Sequence, residues 1–230
     1  MGVQEMRSLV KVLLLFLVVL GLTGLCFSGQ QLVVDRFNKS DEGKLPEGWK
    51  SRNKDLTEKA RAVYRVVVEE DNAYLLAHSK GEAIQLGKEV EIELKDFQVL
   101  KWRWRVNKVC EGGDERYKET GDSPAGIYVV FPTWKKWNPR AIKYVWSASD
   151  LPKGYVTKSP YASETKIIVL ENKTSPLNQW IEEKVNVRDD YQKFWGKKLK
   201  KIKLIGLMTD SDNTKKEAIA AYDDIVMEKE

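Results

Sequence analysis

The chain has 230 residues, 42% hydrophobic and 32% charged, with a net charge of +5. That is enough apolar material for one packed domain and too much for a disordered chain, and so small a charge without a dense basic patch excludes nucleic acid as the expected partner. A single histidine excludes sites that need two, while eight Trp and nine Tyr exceed what a minimal core requires.

Residues 1–28 combine a basic start (Arg7, Lys11), an apolar run from Val12 to Leu20 and small residues at Gly21, Thr23 and Gly24. This is the pattern of a secretory signal peptide, with cleavage expected before Gly29 and a periplasmic or secreted destination. Two alternatives stay open. The segment is short for a retained membrane anchor, and Leu-Thr-Gly-Leu-Cys would allow lipidation of Cys26 except that Leu25 stands where a small residue is needed. Membrane contact is expected only through such an uncleaved or lipidated N-terminus. Cleavage leaves Cys110 alone, so residues 29–230 are expected to fold as a single domain without an internal disulfide.

Leu32 to Phe37 predicts an opening strand, and Leu45-Pro46-Glu47-Gly48-Trp49 a turn whose Trp closes one end of a sandwich. Arg61 to Glu69 and Ala73 to Ala77 flank Asp71-Asn72 and predict a hairpin. Ala83 to Leu86 and Val90 to Leu94 continue the β pattern, and His78 is expected in a solvated loop between strands.

Leu100 to Val106 alternates most clearly: Leu100, Trp102, Trp104 and Val106 share one face, and Lys101, Arg103, Arg105 and Asn107 the other. A Trp buries roughly 150–250 Å², a gross gain of roughly 4–6 kcal/mol, whereas an unpaired buried cation costs several. The Trp face is therefore core. The cation face must meet water, carboxylates or a ligand.

A long loop through Gly112-Gly113 and Gly121-Asp122-Ser123-Pro124 leads to Gly126–Phe131, which is apolar on both faces and so belongs in mid-sheet. Pro132 to Arg140 carries Trp134 and Trp137 in a loop, where they either stack on a ligand or fold back over the core. Ile142 to Ser147 aligns Ile142, Tyr144 and Trp146, and further strands are expected at Lys166–Leu170, Trp180–Val187, Lys200–Met208 and Ala218–Met227. One short helix is expected near 188–196, with acids first and glycine last. Roughly ten short strands and one helix describe a mainly β fold, a two-sheet antiparallel jelly-roll-like sandwich.

The closing run Ala221-Tyr222-Asp223-Asp224-Ile225-Val226 resembles the last strand of carbohydrate-binding modules and galactose-binding-like domains. That resemblance implies a structural calcium, for which Asp35 and Asp224 are the candidate ligands and Asp223 a weaker one; no other cofactor is expected. Asp210-Ser211-Asp212-Asn213-Thr214 alternates oxygen ligands but lacks the glycine and terminal acid of an EF-hand, so it reads as a side-chain-capped turn or as a carboxylate source for Arg103 and Arg105.

Trp102-Arg103-Trp104-Arg105-Val106, Gly121-Asp122, Ile127–Phe131, Tyr144–Ser147, Asp190-Tyr191 with Phe194 and Gly196, and Met208–Thr214 follow in one order that resembles the bacterial domain-of-unknown-function family 3047. The resemblance implies an exported bacterial protein and carries no activity. Ser123 and Gly126 depart from that family's pattern, in which Asp and Arg are common.

These features point to a non-catalytic β-sandwich that binds a glycan or another envelope polymer. Arg103 and Arg105 would bond hydroxyls or anions, Trp134, Trp137, Tyr144 and Trp146 would stack, and Asp122, Asp210 and Asp212 would orient the cations. One alternative is a carbohydrate-active envelope enzyme using a carboxylate pair that includes Asp122 or Asp210; no paired-carboxylate strand motif is visible, and a nucleophile would have only His78 as base. The other is a structural or protein-binding envelope protein whose aromatics are all core.

Overall fold

The computed structural model describes residues 30–134, 138–196 and 198–230. The expected signal segment 1–28, Cys26 within it, and Trp137 lie outside these residues.

The chain forms β1 (Gln31–Asp35), β2 (Trp49–Lys50), α1 (Lys54–Val63), β3 (Tyr64–Glu69), β4 (Asn72–Lys80), β5 (Leu86–Glu93) and β6 (Val99–Lys108). Then follow β7 (Ala125–Phe131), β8 (Arg140–Trp146), β9 (Val156–Lys158), β10 (Thr165–Glu171), β11 (Ile181–Asn186), α2 (Val187–Trp195), β12 (Lys201–Met208) and β13 (Glu217–Glu228). The strands make two sheets, a six-stranded one in the order β11-β6-β13-β4-β3 with β1 on β13, and a seven-stranded one in the order β2-β5-β12-β7-β8-β10-β9.

The mainly β two-sheet sandwich is as the alternation predicts, with first and last strands paired and β7 in mid-sheet. One pairing departs from an all-antiparallel arrangement. β10 runs parallel to β8, because the returning strand β9 sits at the sheet edge outside β10 and leaves the inner place to it.

Leu100, Trp102, Trp104 and Val106 of β6 all lie in the core. Trp102 meets Tyr144 at 5.9 Å between ring centroids, and Trp104 meets Trp146 at 6.0 Å, so β6 and β8 clamp the two sheets together through four rings. Each such pair adds about 0.5–1.5 kcal/mol beyond the area it buries. Tyr64 and Tyr222 brace the end of β12: Thr209 N donates to Tyr64 Oη at 3.1 Å, and Tyr222 Oη donates to Met208 O at 3.0 Å while accepting from Gly126 N at 3.2 Å. The residues that follow β12 and precede β7 are thereby held side by side.

Helix α2 stands where acids then glycine predicted it. Asn186 Oδ1 accepts Asp189 N at 3.1 Å, and Asp189 and Asp190 occupy the first turn, where the helix dipole favours negative charge. Helix α1 was not expected. Its cap is Asn53, whose Oδ1 accepts Leu56 N at 2.9 Å, and Ala60 and Val63 carry its buried side, so the predicted hairpin begins at Tyr64 rather than Arg61. His78 is likewise not in a loop: it lies in β4, and its Nε2 contacts Glu217 of β13.

Candidate functional site

The cation face of β6 covers the outside of the six-stranded sheet, and its charges are matched within the protein. Arg103 pairs with Asp223 and, at 3.1 Å, with Asp224, and its guanidinium lies 4.9 Å from the Trp180 ring. Arg105 reaches across the small Ala221 opposite it to Glu69 at 3.3 Å and Tyr74 Oη at 3.0 Å, with Trp180 at 4.9 Å. Lys101 stands 3.5 Å from both Glu182 and Glu228. The expected partners Asp122, Asp210 and Asp212 do not reach these cations. Sheet order decides this, since β11 and β13 lie beside β6, with β4 and β3 next beyond β13, while Asp122, Asp210 and Asp212 flank strands of the other sheet.

The expected stacking residues separate in the same way. Tyr144 and Trp146 share a face as predicted, but that face is core and both are fully buried, so neither can meet a ligand. Tyr144 Oη donates to Asp190 Oδ2 at 2.7 Å. Trp134 is 84% exposed and borders a surface hollow with Arg140 and Glu164.

The two predicted calcium ligands, Asp35 and Asp224, are each engaged by other groups of the protein. Asp35 is occupied by Trp49 Nε1, Phe37 N and Lys88 Nζ, each at 2.7 Å. Asp224 is paired with Arg103 and Arg36. Among the described residues no group of three or more His, Cys, Asp or Glu side chains is placed to hold a metal.

Three of the predicted acids do converge, around a site the sequence did not single out. Asp122 is fully buried and accepts Asn213 N at 3.1 Å and Thr214 N at 2.7 Å, so it caps the 210–214 turn instead of facing a ligand. Asp210 Oδ1 accepts Ser123 N at 2.9 Å. Lys143, from the middle of β8, enters between them: it donates to Ser123 Oγ at 3.0 Å, stands 3.9 Å from Asp210 Oδ2 and lies 5.4 Å from the Tyr128 ring. Gly126 makes this possible, because a Cβ there would sit 2.9 Å from Lys143 Cε. Ser123 and Gly126 are therefore the residues that receive Lys143.

Glu115 completes the group from the long loop before β7. It is 1% exposed; its Oε2 accepts Ser147 Oγ at 2.6 Å, and its Oε1 is buried without a hydrogen-bond partner. Glu115, Lys143, Asp210 and Asp212 all line a cavity of about 350 Å³ on the outer side of the seven-stranded sheet. Tyr161, 53% exposed, forms its wall, and Gly121 lets the ring approach, since a Cβ there would meet it at 2.9 Å. Tyr161 Oη is fastened to Asn213 Oδ1 at 2.8 Å.

Burial sets the electrostatics here. It pushes the Asp210 carboxyl up to about 6, with Lys143 opposing, and raises Glu115 as well. Burial also works against the charge of Lys143, but Asp210 foremost outweighs it and holds the ammonium above the ordinary lysine value. Cys110 is raised by burial and then by Asp210, Asp122 and Glu115, which makes it an inert thiol at neutral pH.

Lysine has three donors and a carboxylate only acceptors, so the cavity presents both kinds of hydrogen-bonding group beside an aromatic wall. Lys143 had one sequence signal: a cation in mid-strand between Ile142 and Tyr144. Glu115, Tyr128 and Tyr161 had none, because they join the group only through the fold.

The sequence profile of DUF3047, described as a protein of unknown function, matches residues 47–226. No curated protein matches the chain. Among solved structures, the family 11 carbohydrate-binding module of the cellulosomal cellulase Lic26A-Cel5E of Clostridium thermocellum is similar at 10% identity and a TM-score of 0.46, covering 88% of this chain and 96% of that one. A non-crystalline-cellulose-specific carbohydrate-binding module, CBM28, is similar at 13% identity and 0.42, with 83% and 92% covered. The K2 cleaved adhesin domain of Lys-gingipain is similar at 11% and 0.43, with 86% and 97% covered. Likenesses this distant assign no ligand.

Proposed function

This chain belongs to the DUF3047 family, and from that premise we propose that it is a non-catalytic glycan-binding protein whose recognition site is the Tyr161 pocket. The observation that carries the reading is the buried set of Lys143, Asp210 and Glu115 opening into that cavity. Adjacent sugar hydroxyls each donate and accept, so a carboxylate beside an ammonium matches a diol, and an aromatic wall matches the apolar face of a sugar ring. The volume of about 350 Å³ lies near the lower end of small-molecule sites, which begin at about 300 Å³, and suits a short stretch or end of a chain. In this reading the protein acts outside the cytoplasm, with residues 1–28 as its export signal.

Calorimetric titration of the full chain with a panel of oligosaccharides tests the proposal. Binding to at least one glycan, weakened in Tyr161→Ala and Lys143→Met, is expected. Absence of binding across the panel, or binding untouched by both changes, would remove the pocket from the proposal.

One observation favours a second reading. A carboxyl raised to about 6 within a cavity keeps a protonated fraction close to neutral pH, from which a general acid can work. Cleavage of a bound glycan, lost in Asp210→Asn while binding persists, would identify an enzyme.

A further inference from the structure

We propose, resting on the glycan-binding reading, that the pocket selects a sugar bearing a free primary ammonium over neutral and anionic sugars, with Glu115 as the acceptor for that group.

The charges lining the cavity are unequal. Glu115, Asp210 and Asp212 face a single cation, Lys143. Lys143 stands 3.9 Å from Asp210, and the three acids of the lining outnumber its one cation. An anionic sugar would meet that acidic excess.

Glu115 points to the kind of cation. It lines the cavity and is 1% exposed, Ser147 occupies one of its oxygens, and the other is buried with no hydrogen-bond partner. An unmade hydrogen bond on a buried carboxylate is costly, so the site gains most from the strongest donor that can reach it. A hydroxyl is one such donor. An ammonium is stronger, because a charge-assisted hydrogen bond is roughly twice as strong as a neutral one and the low-dielectric surroundings amplify it.

A bare metal ion is the other cation to weigh, and the geometry opposes it. The acids are not grouped closely enough to share an ion among the described residues, and Lys143 stands among them with its own positive charge. A single donor on a carbon framework asks for one acceptor and leaves Lys143 in place, and Tyr161 supplies the wall for the ring that carries it.

The test is calorimetry on the full-length protein near neutral pH with four tetrasaccharides: β-1,4-linked glucosamine, its N-acetylated counterpart, the glucose counterpart and a uronic acid counterpart. The glucosamine chain is expected to bind about tenfold or more tightly than the other three, the factor that corresponds to 1.4 kcal/mol. In Glu115→Gln, with folding checked by circular dichroism, the ratio between glucosamine and glucose chains is expected to fall towards one. Equal binding of amino and neutral chains by the unaltered protein, preference for the uronic acid, or a preference that survives Glu115→Gln overturns this inference and leaves glycan binding standing. No binding of any chain overturns this inference and counts against the glycan reading as well.

Discussion

Replacing Lys143 with Met tests the electrostatic account of the pocket apart from any ligand. Methionine keeps the length and the apolar stem that crosses Gly126 and covers Tyr128, and removes only the ammonium beside Asp210. In the native protein the Asp210 carboxyl is pushed from 3.8 up to about 6, so folding favours its protonated form. That contribution is full below the unfolded value and is lost as the pH rises through about 6. Above that point Lys143 is what makes the ionised carboxylate tolerable. Without it, Asp210 must stay protonated or remain buried as an unpaired charge. At pH 5 most Asp210 carboxyls of the native protein already carry a proton, and the substitution should cost little. At pH 8 the native protein has gained the free energy of ionising a group at about 6, on the order of 3 kcal/mol, and the variant has not. The destabilisation should therefore grow by up to about 3 kcal/mol between the two pH values. Urea unfolding followed by tryptophan fluorescence at each pH measures it, with an unchanged m-value securing the comparison. A loss of equal size at both pH values, or a larger one in acid, would refute the reasoning.

Other outcomes follow from the same geometry. Gly126→Ala places a Cβ 2.9 Å from Lys143 Cε, so it should shift the ammonium and weaken glycan binding by about tenfold while changing stability by only about 1 kcal/mol; unaltered affinity in calorimetry would dissociate Lys143 from the site. Arg103→Met leaves Asp223, which is 1% exposed, with Asn72 and the Asp224 amide but no cation, and should cost about 1–3 kcal/mol in urea unfolding without altering glycan affinity; a loss of affinity at constant stability would restore this face as a recognition surface. Mass spectrometry of the exported protein should find Gly29 at the N-terminus, and a chain that retains residues 1–28 would contradict the signal-peptide reading.

The sequence spoke most clearly where one strand carries its own instruction. Alternation in 100–106 placed Trp102 and Trp104 in the core, and two apolar faces placed β7 in mid-sheet. The helix at 187–195 announced itself through Asp189, Asp190 and Gly196. Helix α1 did carry a signal, with Leu56, Ala60 and Val63 at helical spacing after the cap Asn53, but it runs directly into the valines of β3 and its last turn reads as part of that strand. The candidate site was the least legible part. Asp122, Asp210 and Asp212 were visible as acids in turns, but their neighbours are fixed by which strands adjoin, and nothing in the chain order tells Asp210 that its partner is Lys143 and not Arg103. Tyr144 and Trp146 show the converse: their shared face was correct, and only the position of β6 across the sandwich reveals that this face is closed.

The central claim is that ligands meet the seven-stranded sheet at the Tyr161 pocket and not the cation face of β6. Hydrogen–deuterium exchange of the full chain with and without a bound glycan addresses this directly. The account predicts slower exchange in 115–123, 159–165 and 208–213 and no change in 99–108. Protection confined to 99–108 and 180–186, with the pocket segments unaffected, would contradict it.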